Sequence, residues 1–114
     1  MKLADIISNI VIDPRKLTEY ALSPDNPLGR DKALMFQLHL GFTTDNYELL
    51  LQQIEGQALD CEAILRRTDE HGQHYRVDID ILGVQGQREV VRTGWVVAPE
   101  SDRVRLTTLY VRRR

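Results

Sequence analysis

Arginine is the side chain with the clearest capacity for binding chemistry in this sequence, and its distribution is uneven. Residues 66–114 hold ten arginines, no lysine and seven carboxylates, whereas residues 1–65 hold five basic and ten acidic residues. Arginine presents a planar fork of N–H donors that fits a carboxylate or a phosphate through two hydrogen bonds. The second half therefore forms either an anion-binding surface or a sheet face on which arginines pair with Asp and Glu across strands.

Alternation of apolar and polar residues indicates which arginines share a face. If Val91 and Trp95 point into a core, Arg92 points away from it. The same argument along the other strands predicts an arginine-lined face that also carries a hydroxyl and suits a phosphate. Its expected members are Arg66, Arg76, Arg92, Arg105 and Thr107, and the carboxylates Glu62, Asp78 and Asp80 share it.

A second stretch with capacity for anion binding precedes a predicted helix. In Asn26-Pro27-Leu28-Gly29-Arg30-Asp31-Lys32-Ala33, Arg30 and Lys32 fall in the first helical turn. Free N–H groups at a helix N-terminus favour anions, so two cations there oppose the helix dipole. They are balanced by Asp31, by a partner carboxylate or by a bound anion. The alternative is simple capping and solvation.

The remaining reactive side chains do not predict a site. His39, His71 and His74 lack the spacing of a metal site, and Cys61 falls on the apolar side of its strand, where a free cysteine acts as a small hydrophobe. No metal or cofactor is therefore expected. No carboxylate or histidine of the arginine-lined face stands out as a general base.

The hydrophobic period changes near residue 57, and the region before it, about 12–57, is predicted to be helical. A first helix places Tyr20 on its apolar face, a second covers 30–40, and a third follows. Residues 6–12 fit either a short helix or an extra edge strand. The predicted boundary residues are Asp13 for the first start, Gly41 for the second end, Thr44 or Asp45 for the third start, and Gly56 for the third end.

Residues 58–112 alternate between apolar and polar side chains, which predicts a sheet. The clearest alternation is over 74–81, with Tyr75, Val77, Ile79 and Ile81 on one face. Four strands are predicted over 58–67, 74–81, 88–97 and 103–112, joined by short turns. The expected fold is α+β, with the N-terminal helices packed on one face of a four-stranded antiparallel meander and with Trp95 buried.

Length and composition bound the class of protein. At 114 residues the chain is expected to form a single domain over 1–114. One cysteine excludes an internal disulfide framework. No apolar run approaches the ~18–20 residues that a membrane span needs. A cytoplasmic protein without a membrane partner is expected.

Three stretches resemble the motifs of a bacterial domain family of unknown function. This family resembles the ribonuclease-type fold shared by barnase, colicin and RelE-like toxins, in which helices precede a four-stranded antiparallel sheet. The resemblance covers about residues 12–110, in the right order. The stretches are Asp13-Pro14-Arg15-Lys16-Leu17-x-x-Tyr20, then Asn26-Pro27-x-Gly29-x-x-Lys32-Ala33-x-x-Phe36, then the pair 91–97 and 105–110 with Trp95.

The resemblance implies a toxin-like, metal-independent domain that cleaves or binds RNA. Such a domain works in a toxin–antitoxin or polymorphic-toxin system, with a small antitoxin or immunity protein as its partner. The same resemblance makes Lys32, Arg92 and Thr108 the catalytic candidates, while Arg30 and the arginine-lined face are the expected RNA contacts. The family's histidine before the proline is Asn26 here, and asparagine cannot act as a general acid or base. The alternative is a non-catalytic protein-binding module, such as a degenerate toxin relative.

Thr108 makes the register of the last strand decisive. One register buries more apolar surface but turns Thr108 inward, whereas a site residue has to reach the open face. A β-bulge in this strand would reconcile the two requirements. The inward-facing set is either Val104, Leu106, Thr108 and Tyr110, or Arg105, Thr107, Leu109 and Val111.

Overall fold

Helices packed against a five-stranded mixed sheet form an α+β fold in the computed structural model, which describes residues 1–113. Within these residues no helix is long and apolar enough to cross a membrane. The elements in chain order are α1 (Leu3–Ile6), β1 (Asn9–Val11), a π-helical turn (Leu17–Ala21), α2 (Arg30–Leu40), α3 (Tyr47–Gln57), a 3-10 turn (Ala58–Asp60), β2 (Ala63–Asp69), β3 (Gly72–Leu82), β4 (Arg88–Val97) and β5 (Arg103–Val111).

The sheet has the order β1-β5-β4-β3-β2, and its last four strands in sequence form the predicted antiparallel meander. The prediction of four strands is wrong in one respect, because β1 pairs in parallel with β5, with Asn9 opposite Arg103. The two interpretations left open for the N-terminal residues both apply, since α1 is followed by β1. A three-residue strand whose partner lies in the last element leaves no periodic signal of its own.

The core lies between the helices and one face of the sheet, called the core face here. The predicted alternation of β3 is confirmed, since Tyr75, Val77, Ile79 and Ile81 are all buried there. Trp95 of β4 is 1% exposed, as expected. The opposite side is called the open face. Cross-strand pairing places two rows on it: Arg76, Gly94 and Thr108, then Asp78, Arg92 and Tyr110.

A β-bulge in β5 changes which residues face the core. Gly94 pairs with Thr108 and Trp95 pairs with Leu106, so Thr107 is an extra residue. Its hydroxyl donates to the Gly94 carbonyl at 3.0 Å. Each of the two predicted registers is therefore right for one half of the strand. The core face receives Val104 and Leu106 before the bulge and Leu109 and Val111 after it.

The helix boundaries are confirmed only in part. α2 has the predicted bounds and ends at Gly41, whose φ of 78° suits glycine. α3 starts after Asn46 rather than at Thr44 or Asp45, because the Asn46 side chain accepts from the Thr43 N–H and donates to the Gly41 carbonyl. It continues through Gly56.

The elements on either side of these helices also differ from the prediction. The first predicted helix is reduced to the π-helical turn. The first strand of the meander begins at Ala63 rather than at residue 58, because the chain continues from α3 into the 3-10 turn.

Candidate anion-binding site

Lys32 lies at the centre of a polar cluster beside β5. Its ammonium group donates to the Thr108 hydroxyl at 3.1 Å and to the Tyr20 hydroxyl. It also lies 4.5 Å from the centroid of the Tyr20 ring and 5.6 Å from that of Tyr110. Lys32 and Thr108 are 76 residues apart in sequence, and the structure brings these two candidates together.

Three elements position this cluster. α2 and the π-helical turn both contact β5, and the bulge turns Thr108 outward to meet them. In the π-helical turn the Leu22 N–H donates to the Leu17 carbonyl at 2.8 Å, so the turn is widened by one residue. Such widened turns are frequent at functional sites. The fold thus converges on Tyr20, Lys32 and Thr108.

The loop before α2 shows why Asn26, Gly29 and Lys32 stand three residues apart in the sequence. Asn26 donates from Nδ2 to the Glu19 carbonyl and accepts at Oδ1 from the Leu28 N–H, both at 2.8 Å. A Cβ on Gly29 would lie 2.1 Å from the carbonyl oxygen of Tyr20. Asn26 and Gly29 therefore hold the backbone around Tyr20, while Lys32 binds its hydroxyl. Asn26 acts in this chain as a structural residue of the loop.

We expect Gly29→Ala to lower the stability by about 1–3 kcal/mol, because the new methyl group forces the π-helical turn away from α2. Urea unfolding measures this loss. Gly56→Ala is the matched control. It adds the same methyl group within α3, where no atom lies within 4 Å, and should raise the stability by about 0.5–1 kcal/mol. Equal effects of the two substitutions would contradict the proposed contact.

Arg92 is engaged by Asp78 on the open face. Its Nε donates to Asp78 Oδ1 at 2.9 Å and its Nη2 to Oδ2 at 3.1 Å. These hydrogen bonds are the main reason why the pKa of Asp78 is lowered and that of Arg92 is raised. Because the carboxylate balances its charge, Arg92 can meet a ligand only through its remaining N–H groups.

Arg76 lies in the row next to Arg92 and carries a buried donor. Its Nε has no hydrogen-bond partner within residues 1–113. A buried donor without a partner costs about 1–3 kcal/mol, so an anion or a water at this position would be stabilised. Gly94 separates Arg76 from Thr108 in this row, and its lack of a side chain lets the Thr108 methyl group pack against β4, since a Cβ on Gly94 would lie 2.9 Å from Thr108 Cγ2.

Tyr20 is the site residue that sequence reasoning missed as a chemical group. The sequence places it on an apolar helix face, but its hydroxyl contacts Lys32, and this hydrogen bond is the main cause that lowers the pKa of Tyr20. A phenol with a lowered pKa is a candidate proton acceptor. The available signal was its position at the end of the first motif, Asp13 to Tyr20.

The other predicted contacts lie outside this cluster. Arg30 is exposed and lines a groove on another side of α2, because residues two apart on a helix do not share a face. Arg66 is exposed on β2, three strands from β5. Arg105 is exposed on β5, and Thr107 forms the bulge. In the described part of the chain, no group of three or more His, Cys, Asp or Glu is arranged to hold a metal ion.

A family model described as "Domain of unknown function (DUF6883)" matches residues 2–113. The chain belongs to this family, and the predicted membership of an uncharacterised domain family is thereby confirmed. No curated protein and no solved structure matches the chain. The likeness to toxin ribonucleases stays a prediction.

Proposed function

We propose that this chain is a toxin-like domain that cleaves RNA without a metal ion, and that the Lys32 cluster binds the phosphate that is attacked. One observation carries the proposal: Lys32 contacts two hydroxyls, and no salt bridge joins it to a carboxylate within residues 1–113. A partly buried cation without a carboxylate is suited to an anionic ligand. The proposed partner is a small antitoxin or immunity protein, and the proposed location is the cytoplasm.

The proposed phosphate seat lies on the open face beside the Thr108 hydroxyl and the Lys32 ammonium group. Lys32 and the Thr108 hydroxyl would bind the phosphate from the side of β5, and the Arg76 guanidinium would approach it from the side of β3. Arg92 keeps its orientation through Asp78 and offers its remaining N–H groups next to this seat. Donors fixed in this way stabilise charge that develops in a transition state more effectively than mobile water does.

The proposed reaction is attack by the RNA 2′-oxygen on the adjacent phosphorus. The Tyr20 phenolate takes the 2′-hydroxyl proton, the bond from O2′ to phosphorus forms, and the bond from phosphorus to O5′ breaks. Lys32 stabilises the added negative charge and gives a proton to O5′. The products are a 2′,3′-cyclic phosphate and a 5′-hydroxyl. Proton transfer from the Tyr20 hydroxyl back to Lys32 then restores the pair.

The test is RNA cleavage by the purified protein in the presence of a chelator, measured against pH. Because the base is a phenolate, the rate should rise with pH through the lowered pKa of Tyr20 and reach its plateau below the usual tyrosine value of about 10. Tyr20→Phe should cleave about 10²–10⁴-fold more slowly and lose this rise. Tyr47→Phe, on α3, is the matched control and should behave like the wild type.

If RNA stays intact after incubation with the wild type and expression of the protein is not toxic, the proposed RNA-cleaving activity is excluded. The second candidate, a non-catalytic protein-binding module, would then stand. It is favoured by the outer side of α2, where Leu34 is 53% and Leu38 65% exposed. Exposed apolar residues one turn apart are typical of a surface that binds another protein.

A further inference from the structure

A cleft of about 500 Å³ lies at one end of the open face and is not part of the Lys32 cluster. Three arginines and two carboxylates give it a net positive charge. Its lining residues are Asp80, Arg88, Glu89, Val90, Arg112 and Arg113.

The cleft and the Lys32 cluster lie on the same face of the sheet along β5. The Arg112 N–H extends the ladder by donating to the Val90 carbonyl at 2.8 Å, so Arg112 follows Thr108 and Tyr110 on the same face. Its Nη1 lies 3.7 Å from Asp78 Oδ2, on the carboxylate that holds Arg92. Arg112 follows Thr108 by four residue steps along the strand, about 13 Å. This distance is too long for one phosphate to contact both residues.

Only some of the charged side chains that line the cleft form salt bridges with one another. Glu89 accepts from Arg113 at 2.8 Å, so this pair is neutral. Arg88 is exposed and has no salt bridge within residues 1–113, and the Arg112 side chain is 45% exposed. Asp80 is the exposed carboxylate that opposes them. Arg88 is therefore fully available to an anion, and Arg112 is available in part because its Nη1 lies 3.7 Å from Asp78 Oδ2.

We infer that this cleft is a second phosphate subsite, which binds a nucleotide flanking the cleaved one. The inference rests on the proposed function, since it requires that the open face binds RNA. A single strand would run along β5 from Thr108 towards Arg112, with one phosphate at Lys32 and a later one between Arg88 and Arg112. Arginines spaced along a groove track a nucleic-acid backbone in this way.

The experiment compares a dinucleotide with a hexanucleotide, both fully 2′-O-methylated so that neither can be cleaved, by fluorescence anisotropy at several salt concentrations. The wild type should bind the hexanucleotide more tightly. Arg88→Ala and Arg112→Ala should each remove most of this gain, lower the salt slope by about 0.7 and leave dinucleotide binding unchanged. Asp80→Asn should tighten hexanucleotide binding. Arg15→Ala removes an exposed arginine that is paired with Asp13, and it should leave the affinity for both oligonucleotides unchanged.

Three results overturn the subsite while leaving the proposed function intact. The first is equal affinity of the wild type for both oligonucleotides. The second is wild-type binding of the hexanucleotide by both arginine variants. Loss of dinucleotide binding in Arg88→Ala would also overturn it, because this arginine would then act at the first phosphate. If neither oligonucleotide binds the wild type, the subsite and RNA binding by the proposed site fail together.

Discussion

Lys32→Met should reduce RNA cleavage by about 10²–10³-fold, the usual effect of removing one donor that stabilises transition-state charge. Methionine keeps an unbranched side chain of similar length between the Tyr20 and Tyr110 rings. It removes the cation and the donors to Tyr20 and Thr108. The measurement is the single-turnover rate of RNA cleavage in chelator, combined with the melting temperature of each variant.

The matched control for this experiment is Lys16→Met. Lys16 lies just before the π-helical turn, and its removal changes the net charge by the same amount. The control should cleave at close to the wild-type rate, because the charge of Lys16 is the smallest of the causes that lower the pKa of Tyr20. Cleavage by Lys32→Met at the wild-type rate would remove Lys32 from the chemistry, even if the variant proves less stable.

Trp95→Ala should lower the free energy of unfolding by about 3–5 kcal/mol, because it removes the largest side chain of the core. The indole also joins a buried chain of hydrogen bonds. Its Nε1 donates to the Thr93 hydroxyl at 2.7 Å, and that hydroxyl donates to the Val77 carbonyl at 2.6 Å. The substitution therefore creates a cavity and weakens the contact between β4 and β3.

Urea unfolding followed by far-ultraviolet circular dichroism measures this loss, since Trp95 is the single tryptophan and fluorescence disappears with it. Trp95→Phe should lose less, because it keeps an aromatic ring and loses only part of the volume and the N–H. A change below about 0.5 kcal/mol for Trp95→Ala would be typical of a surface residue and would contradict its burial.

Local sequence patterns are sufficient to predict the elements whose conformation depends little on contacts with distant residues. The bounds of α2 follow from the turn residues before Arg30 and from Gly41 at its end, although Leu34 and Leu38 of its predicted apolar face are exposed. β4 follows from alternation between two turns. The buried side of β3 follows from its strict period of two. In each case the information lies within about ten neighbouring residues.

The parts that the sequence does not predict depend on distant partners. The bulge at Thr107 depends on its pairing with Gly94, and it decides which side of the sheet Thr108 occupies. The role of Tyr20 depends on Lys32, because an isolated tyrosine on a helix face resembles any apolar residue. Asn26 looks like a lost catalytic group until its hydrogen bonds to the loop are seen.

The position of β5 between its neighbours has a consequence for folding during synthesis. A ribosome delivers this strand after every other element, yet it supplies Thr108 and Tyr110 and pairs with both β1 and β4. The helices and the hairpin of β2 and β3 can form early from local contacts, whereas joining β1 to β5 closes a loop of more than ninety residues. A nascent chain therefore has Lys32 and Tyr20 without their partners on the sheet. If the domain is a nuclease, it becomes active only as β5 docks, which protects the translating cell from its own unfinished product.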